Sequence, residues 1–114
     1  MAINYDRSRR VWHGHIARWG GGQNKGFLVR NGVKRPATMA MIEYTPRERG
    51  LFADGAVRFW ISALGVVPVN YPNEELDTIQ FKSIGYKIIL PPAGQQPDGS
   101  WIAFDCSCMR TGPV

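Results

Sequence analysis

Ala56-Val57-Arg58-Phe59-Trp60-Ile61-Ser62-Ala63 is the stretch that decides the fold. Its aromatic and β-branched residues fit a pleated, half-buried surface, so it reads as a strand. On its C-terminal side, Gly65 to Pro72 is a Pro-containing loop, and Asp77 to Lys82 (DTIQFK) alternates as a second strand. Tyr86 to Leu90 is another, with Ser83-Ile84-Gly85 as the hairpin turn between them. Pro91 to Ser100 is a long loop ending in the turn Asp98-Gly99. Trp101 to Met109 alternates again, with Trp101, Ala103 and Asp105 set against Ile102, Phe104, Cys106 and Cys108 if a bulge shifts the register.

On the N-terminal side, Thr45 to Gly55 is the longest irregular stretch, and loops of that length tend to be functional. Ala37 to Tyr44 is a strand or a short helical turn, limited by Pro36 ahead of it and Pro46 behind. Phe27 to Arg30 is a short strand entering the tight turn Asn31-Gly32, a pair that supplies the positive φ angles of a hairpin. The run from Gly20 to Gly26 is too flexible for a regular element, and Val11 to Trp19 alternates loosely as a first strand. Residues 1–10 read as a polar arm that a partner must order.

The expectation is therefore an all-β chain, a small β-barrel or sandwich of about six short strands with two long loops and an N-terminal arm. The arm is 1–10, the single domain 11–110 and a C-terminal tail 111–114. Thirteen Gly and 8 Pro in 114 residues argue against a helical bundle. No apolar run is long enough to span a bilayer, and the basic N-terminus lacks the apolar segment of a secretory signal. A protein made in the cytosol, with no membrane partner, is expected.

Charge is uneven. Residues 1–58 hold 11 basic and 4 acidic groups, and residues 59–114 hold 3 and 5. Such a split suits nucleic acid on one side, or head-to-tail stacking of copies, or simply a solvated basic surface. Aromatics interleaved with arginines (Arg10, Trp12, Arg18, Trp19, Phe27, Arg30) would suit the stacking of single strands on a barrel, or would flank buried rings.

Chemistry is sparse. Gly20-Gly21-Gly22 before Lys25 lacks the pattern of a phosphate loop and reads as a linker. His13 and His15 have no partner at a spacing that marks a triad, so no catalytic residue and no cofactor is assigned. His13-x-His15 with Cys106-x-Cys108 would make four zinc ligands if the terminal strands were neighbours, but no metal is assigned. Cys106 and Cys108 are too strained at this spacing to bond each other, which leaves half-buried thiols or an inter-subunit disulfide formed after release into an oxidising medium.

From Ala37 onward the order of features resembles the head-closure proteins of tailed bacteriophages, also called stopper or head-completion connectors. The residues that carry the likeness are Ile42-Glu43-Tyr44-Thr45-Pro46-Arg47-Glu48-Arg49, then Asp54-Gly55 and Val57 to Ala63. Leu76 to Phe81, Gly85, Tyr86-Lys87-Ile88-Ile89 and a last strand ending near Arg110 complete it. The pattern is one of strands and turns, covers about two-thirds of the chain, and has no counterpart for the first thirty residues.

The resemblance implies a non-enzymatic virion protein of the phage neck, assembled in the host cytoplasm. It would form a ring of roughly six or twelve copies that closes the DNA-filled head, with the portal or adaptor above and the tail terminator or tail tube below. Non-specific contact with packaged DNA would follow. On this reading Arg47, Glu48 and Arg49 form the loop that meets the channel or a neighbouring ring, and Arg7, Arg9 and Arg10 dock the arm on a partner. The other class to weigh is a single-stranded nucleic-acid-binding β-barrel protein.

Overall fold

The stretch from Ala56 is a strand, and its two faces explain the architecture. The computed structural model describes residues 4–42, 56–69 and 75–114. In chain order the elements are α1 (Asp6–Trp19), β1 (Gly26–Arg30), β2 (Val33–Ala37), β3 (Met39–Ile42), β4 (Ala56–Ser62), β5 (Thr78–Phe81), β6 (Ile84–Ile88), β7 (Ala93–Gln95) and β8 (Trp101–Pro113). Phe59 and Ile61 of β4 point into the core, while Trp60 between them faces the helix.

The protein is mostly β: one antiparallel sheet in the order β2-β1-β5-β6-β8-β4-β3, with β7 also paired to β8. β2 and β3 stand at opposite ends of that order, yet Thr38 alone separates them in the chain. Laid flat, seven strands would set their outermost members roughly 29 Å apart. Two Cα steps reach at most about 7 Å. The sheet must curl until its end strands come together at the Thr38 corner, and because they do not pair with each other it is a half-barrel. The junction is held by the Thr38 carbonyl, which accepts the Ser62 N–H at 2.9 Å, and by its hydroxyl, which accepts the Asn24 N–H at 3.0 Å.

The concave face holds Leu28, Met39, Phe59, Ile61, Ile79, Phe81, Tyr86, Ile88 and Phe104, with the Phe59 ring edge-on to Phe81 and Tyr86. β8 is the spine. Its first part pairs with β4, from Ser62↔Ala103 to Ala56↔Met109, and its last part pairs with β6. Phe104, Cys106 and Cys108 are its inward residues, in strict alternation. The irregularity expected in Trp101 to Met109 is present against β7, where Ala93 pairs with Asp105 and Gln95 with Trp101. A second lies further on: Tyr86 pairs with Arg110 and Gly85 with Gly112, so Thr111 is the extra residue beside a Gly at φ 125°.

Several expectations need correction. Val11 to Trp19 is helical, and α1 begins at Asp6, so residues 6–10 are part of a helix and not an arm. The apparent alternation hid the spacing Tyr5, Arg9, Trp12, Ile16, Trp19, which repeats every three or four residues and lines one helix face. Residues 111–113 continue β8, Gly112 and Pro113 pair with β6, and the Val114 N–H bonds Ser83 O, so there is no separate tail. The Asn31-Gly32 turn forms as expected, at φ 52° and 77°. The second hairpin turns at Lys82-Ser83, with φ 50° and 63°, one residue earlier than Ser83-Ile84-Gly85. Pro36 lies inside β2, where an edge position spares it a second ladder partner. The loop from Pro91 contains β7, which hydrogen-bonds along β8.

Two glycines test how tightly α1 sits on the junction. A Cβ at Gly20 would overlap the carbonyl oxygen of Met39, whereas one at Gly14 would meet nothing. Gly20→Ala is expected to destabilise the domain by about 1–3 kcal/mol, as an overpacked core does. Gly14→Ala is expected to stabilise it by up to about 1 kcal/mol through helix propensity. Urea unfolding midpoints of the two variants check both signs.

Candidate interaction surface on the helix

α1 starts with the Asp6 N–H bonded to Asn4 Oδ1 at 2.9 Å, carries Asp6 in its first turn and Arg18 in its last, and ends at Gly20, whose N–H bonds Ile16 O. Both charges suit the helix dipole. Its inner face is fixed at four points. Ile16 is fully buried, and Trp12 stacks on Trp60 with ring centroids 4.6 Å apart. His13 Nδ1 and Ser62 Oγ share a hydrogen bond of 2.6 Å, and the Arg9 guanidinium donates through Nε to Trp101 O at 2.6 Å and through Nη1 to Asp6 at 2.9 Å.

The three arginines expected to act together therefore separate. Arg9 is tied to the sheet, while Arg7 and Arg10 are exposed on the outward side of α1. Arg18 is exposed on that side too. The interleaved aromatic and basic set also divides. Arg10, Trp12, Arg18 and Trp19 lie on α1, but Phe27 is on β1 with Lys34 Nζ 5.3 Å from its ring centre. Arg30 instead donates through Nε and Nη2 to both carboxylate oxygens of Asp77, at 2.8 and 3.0 Å. Along the flank of α1, His15 stacks on Trp19 at 5.6 Å, and Trp19 remains half exposed. Arg47, Glu48 and Arg49 lie outside the described residues.

Beside the Trp12–Trp60 stack is a cleft of about 270 Å³ bounded by Trp12, Arg58, Trp60, Gln96, Ile102 and Asp105. Across it Arg58 makes a bidentate pair with Asp105, at 2.8 and 2.5 Å, and lies over the Trp60 ring. Both side chains are about one-quarter exposed, so the pair fixes geometry more than it adds stability. A second cleft, of about 420 Å³, lies at Arg30, Asn31, Val69, Leu76, Asp77 and Thr78. There the Asp77 carboxylate is fully buried and satisfied by Arg30 and by the Val69 N–H at 3.0 Å. Neither acid was singled out by sequence. The available signal was β8 alternation for Asp105, which puts it on the face opposite Cys106, and for Asp77 an acid at the start of an apolar strand.

Cys106 and Cys108 are free and fully buried on the concave side of β8. The sequence predicts half-buried thiols, whereas both are wholly inside the core. An inter-subunit disulfide from these positions would require the core to open. His13 and His15 sit on α1, packed outside the sheet against Ser62 and Trp19, so the four residues weighed for zinc do not converge. Among the described residues no three His, Cys, Asp or Glu side chains come together as a metal site. Compared with known proteins, the chain matches no family model, no curated protein and no solved structure.

Burial, with Asp105 nearby, pushes the Cys108 thiol up to about 12, and burial beside Cys108 raises Cys106 well above its ordinary value. A thiol whose folded pKa is raised stabilises the fold fully below its unfolded pKa, near 9.0, and that contribution is lost as pH climbs towards about 12. Stability is therefore expected to fall between those limits. Cys108→Ala should lower the starting stability but flatten the decline, as read from urea midpoints at stepped pH. In the native protein at pH 8 both thiols should react with an aromatic disulfide reagent only as fast as the domain opens.

Proposed function

We propose that this chain is a structural, non-enzymatic component of the bacteriophage neck. Copies form a ring that closes the DNA-filled head below the portal or adaptor and presents the docking platform for the tail. The observation that carries this reading is the basic excess of the N-terminal elements. Residues 4–42, forming α1 and β1 to β3, hold eight Arg and Lys against one acid, Asp6. Residues 75–114 hold Glu75, Asp77, Asp98 and Asp105 against Lys82, Lys87 and Arg110, and with Asp77 and Asp105 taken up by Arg30 and Arg58 they offer the basic elements a far less basic surface to meet. A ring closes by repeating one heterologous contact, in which a surface meets a different, complementary surface on the next copy. Exposed apolar side chains on separate elements, Trp19 on the flank of α1 and Ile89 and Leu90 beyond β6, supply apolar centres for two such surfaces.

A second reading, a single-stranded nucleic-acid-binding barrel, has one observation in its favour: the His15–Trp19 stack beside Arg18 on the exposed flank of α1. Mass spectrometry of purified virions and native mass of the purified chain separate the two. The neck reading expects a fixed copy number in particles and a ring in solution, of roughly six or twelve copies. The ring should loosen as salt shortens the Debye length from about 10 Å at 0.1 M to about 3 Å at 1 M. Absence from particles, with a salt-insensitive monomer that binds single strands, overturns it in favour of the second reading.

A further inference from the structure

We infer that the outward face of α1 is a docking surface for the phosphate backbone of duplex DNA, with Arg7, Arg10 and Arg18 as its contacts. At 100° per residue, Arg7, Gly14 and Arg18 fall within about 40° of one another around the helix, opposite Ile16, with the exposed Val11 about 40° from Arg7 on one side and Arg10 about 60° from it on the other. All three arginines are exposed, and none has an ion-pair partner among the described residues. The one acid in residues 4–42, Asp6, is already engaged by Arg9. At 1.5 Å per residue the row is about 16 Å long. Its middle is Gly14, where nothing stands within 4 Å of a side-chain position and a broad partner can approach the helix closely.

The occupant follows from what the face offers. Guanidinium groups bind phosphate oxygens in a bidentate manner, and a set of them carried on one fixed helix suits a regular polyanion. The outward stripe carries no ring on which a base could stack, since the His15–Trp19 stack lies about 80–120° around the helix from Arg7. That favours duplex backbone over single strands. The inner face anchors the row to β4 and β8 through Trp12, His13, Ile16 and Arg9. The row is therefore preorganised.

The partner deepens the neck reading and rests on it for the biological source of the DNA, but binding is measured on the purified full chain. Anisotropy of a labelled random-sequence 20-base-pair duplex, titrated at several salt concentrations, is compared with a single strand of equal length and with phosphatidylserine vesicles. The Arg7→Gln, Arg10→Gln, Arg18→Gln variant should bind the duplex at least tenfold more weakly and reduce the log–log salt slope by about 2.7, at about 0.9 per phosphate contact. Gly14→Glu, which has room and favours the helix, should weaken binding in the same direction. Lys82→Gln, Lys87→Gln, Arg110→Gln removes the same charge from exposed positions on the β5–β6 hairpin and β8, and should change binding less than twofold. Equal loss in that control, stronger binding of the single strand, or equal capture by vesicles overturns the inference. Duplex binding through the α1 arginines by a chain absent from particles sustains this face and removes the neck reading. A chain present in particles with no duplex binding does the reverse.

Discussion

One residue constrains the whole domain. Thr38 joins the two strands that end the sheet, so the strands between must curve enough to bring those ends together. Curvature of that degree creates a concave side, and the apolar residues of β1, β3, β4, β5, β6 and β8 fill it. The same junction sets the helix. Met39, immediately after Thr38, presses its carbonyl against Gly20 and its side chain against Gly26, and any larger residue at Gly20 would collide with backbone. The Gly-rich segment between α1 and β1 thus acts as a close-packed corner at both its ends. Asn24, in the left-handed region at φ 53°, completes the corner by donating its N–H to the Thr38 hydroxyl.

β8 distributes that constraint across the sheet. A 13-residue strand with partners on both sides places Phe104, Cys106 and Cys108 in the core and Ala103 and Asp105 on the convex side under α1. Full burial of a Phe or Ile side chain is worth about 1.5–3 kcal/mol as an upper bound, so the inward residues of β4 and β8, with those of β1, β3, β5 and β6, supply much of the stabilisation. The convex face uses a different kind of contact. Arg58 to Asp105, Trp12 on Trp60 and His13 to Ser62 are directional, and together they fix where the helix lies.

How far the sequence reads this fold depends on which period each segment displays. Ala56 to Ser62, Thr78 to Phe81 and Trp101 to Met109 alternate plainly because one face is core and the other is helix or solvent. The Asn31-Gly32 turn was legible because only a few residue types accept positive φ, whereas Lys82-Ser83 adopts the same region without that signature. α1 was misread because Gly14 and two histidines dilute its helical propensity and only Ile16 is fully buried. β7 was hidden in a Pro- and Gly-rich loop, since its backbone pairing with β8 needs no side-chain pattern. At the surface, residue types were readable and their grouping was not. Arg7, Arg9 and Arg10 look like one cluster in sequence, and only the helix separates Arg9, bound to Trp101 O, from the outward pair.

That separation changes the energetics of any partner that meets the N-terminal region. An arm that orders on binding must offset roughly 1–2 kcal/mol of backbone entropy for each residue fixed. A helix already locked to the sheet by Trp12, His13, Ile16 and Arg9 has met that cost in folding. Its exposed arginines then lose only side-chain freedom when they meet an anion, so contacts too weak to order an arm still contribute to binding. Arg9 is central to this division: by leaving the exposed set and closing on Trp101 O, it holds the first turns of α1 against β8 and keeps Arg7 and Arg10 in a defined orientation. One arginine is used to build the platform on which the others stand.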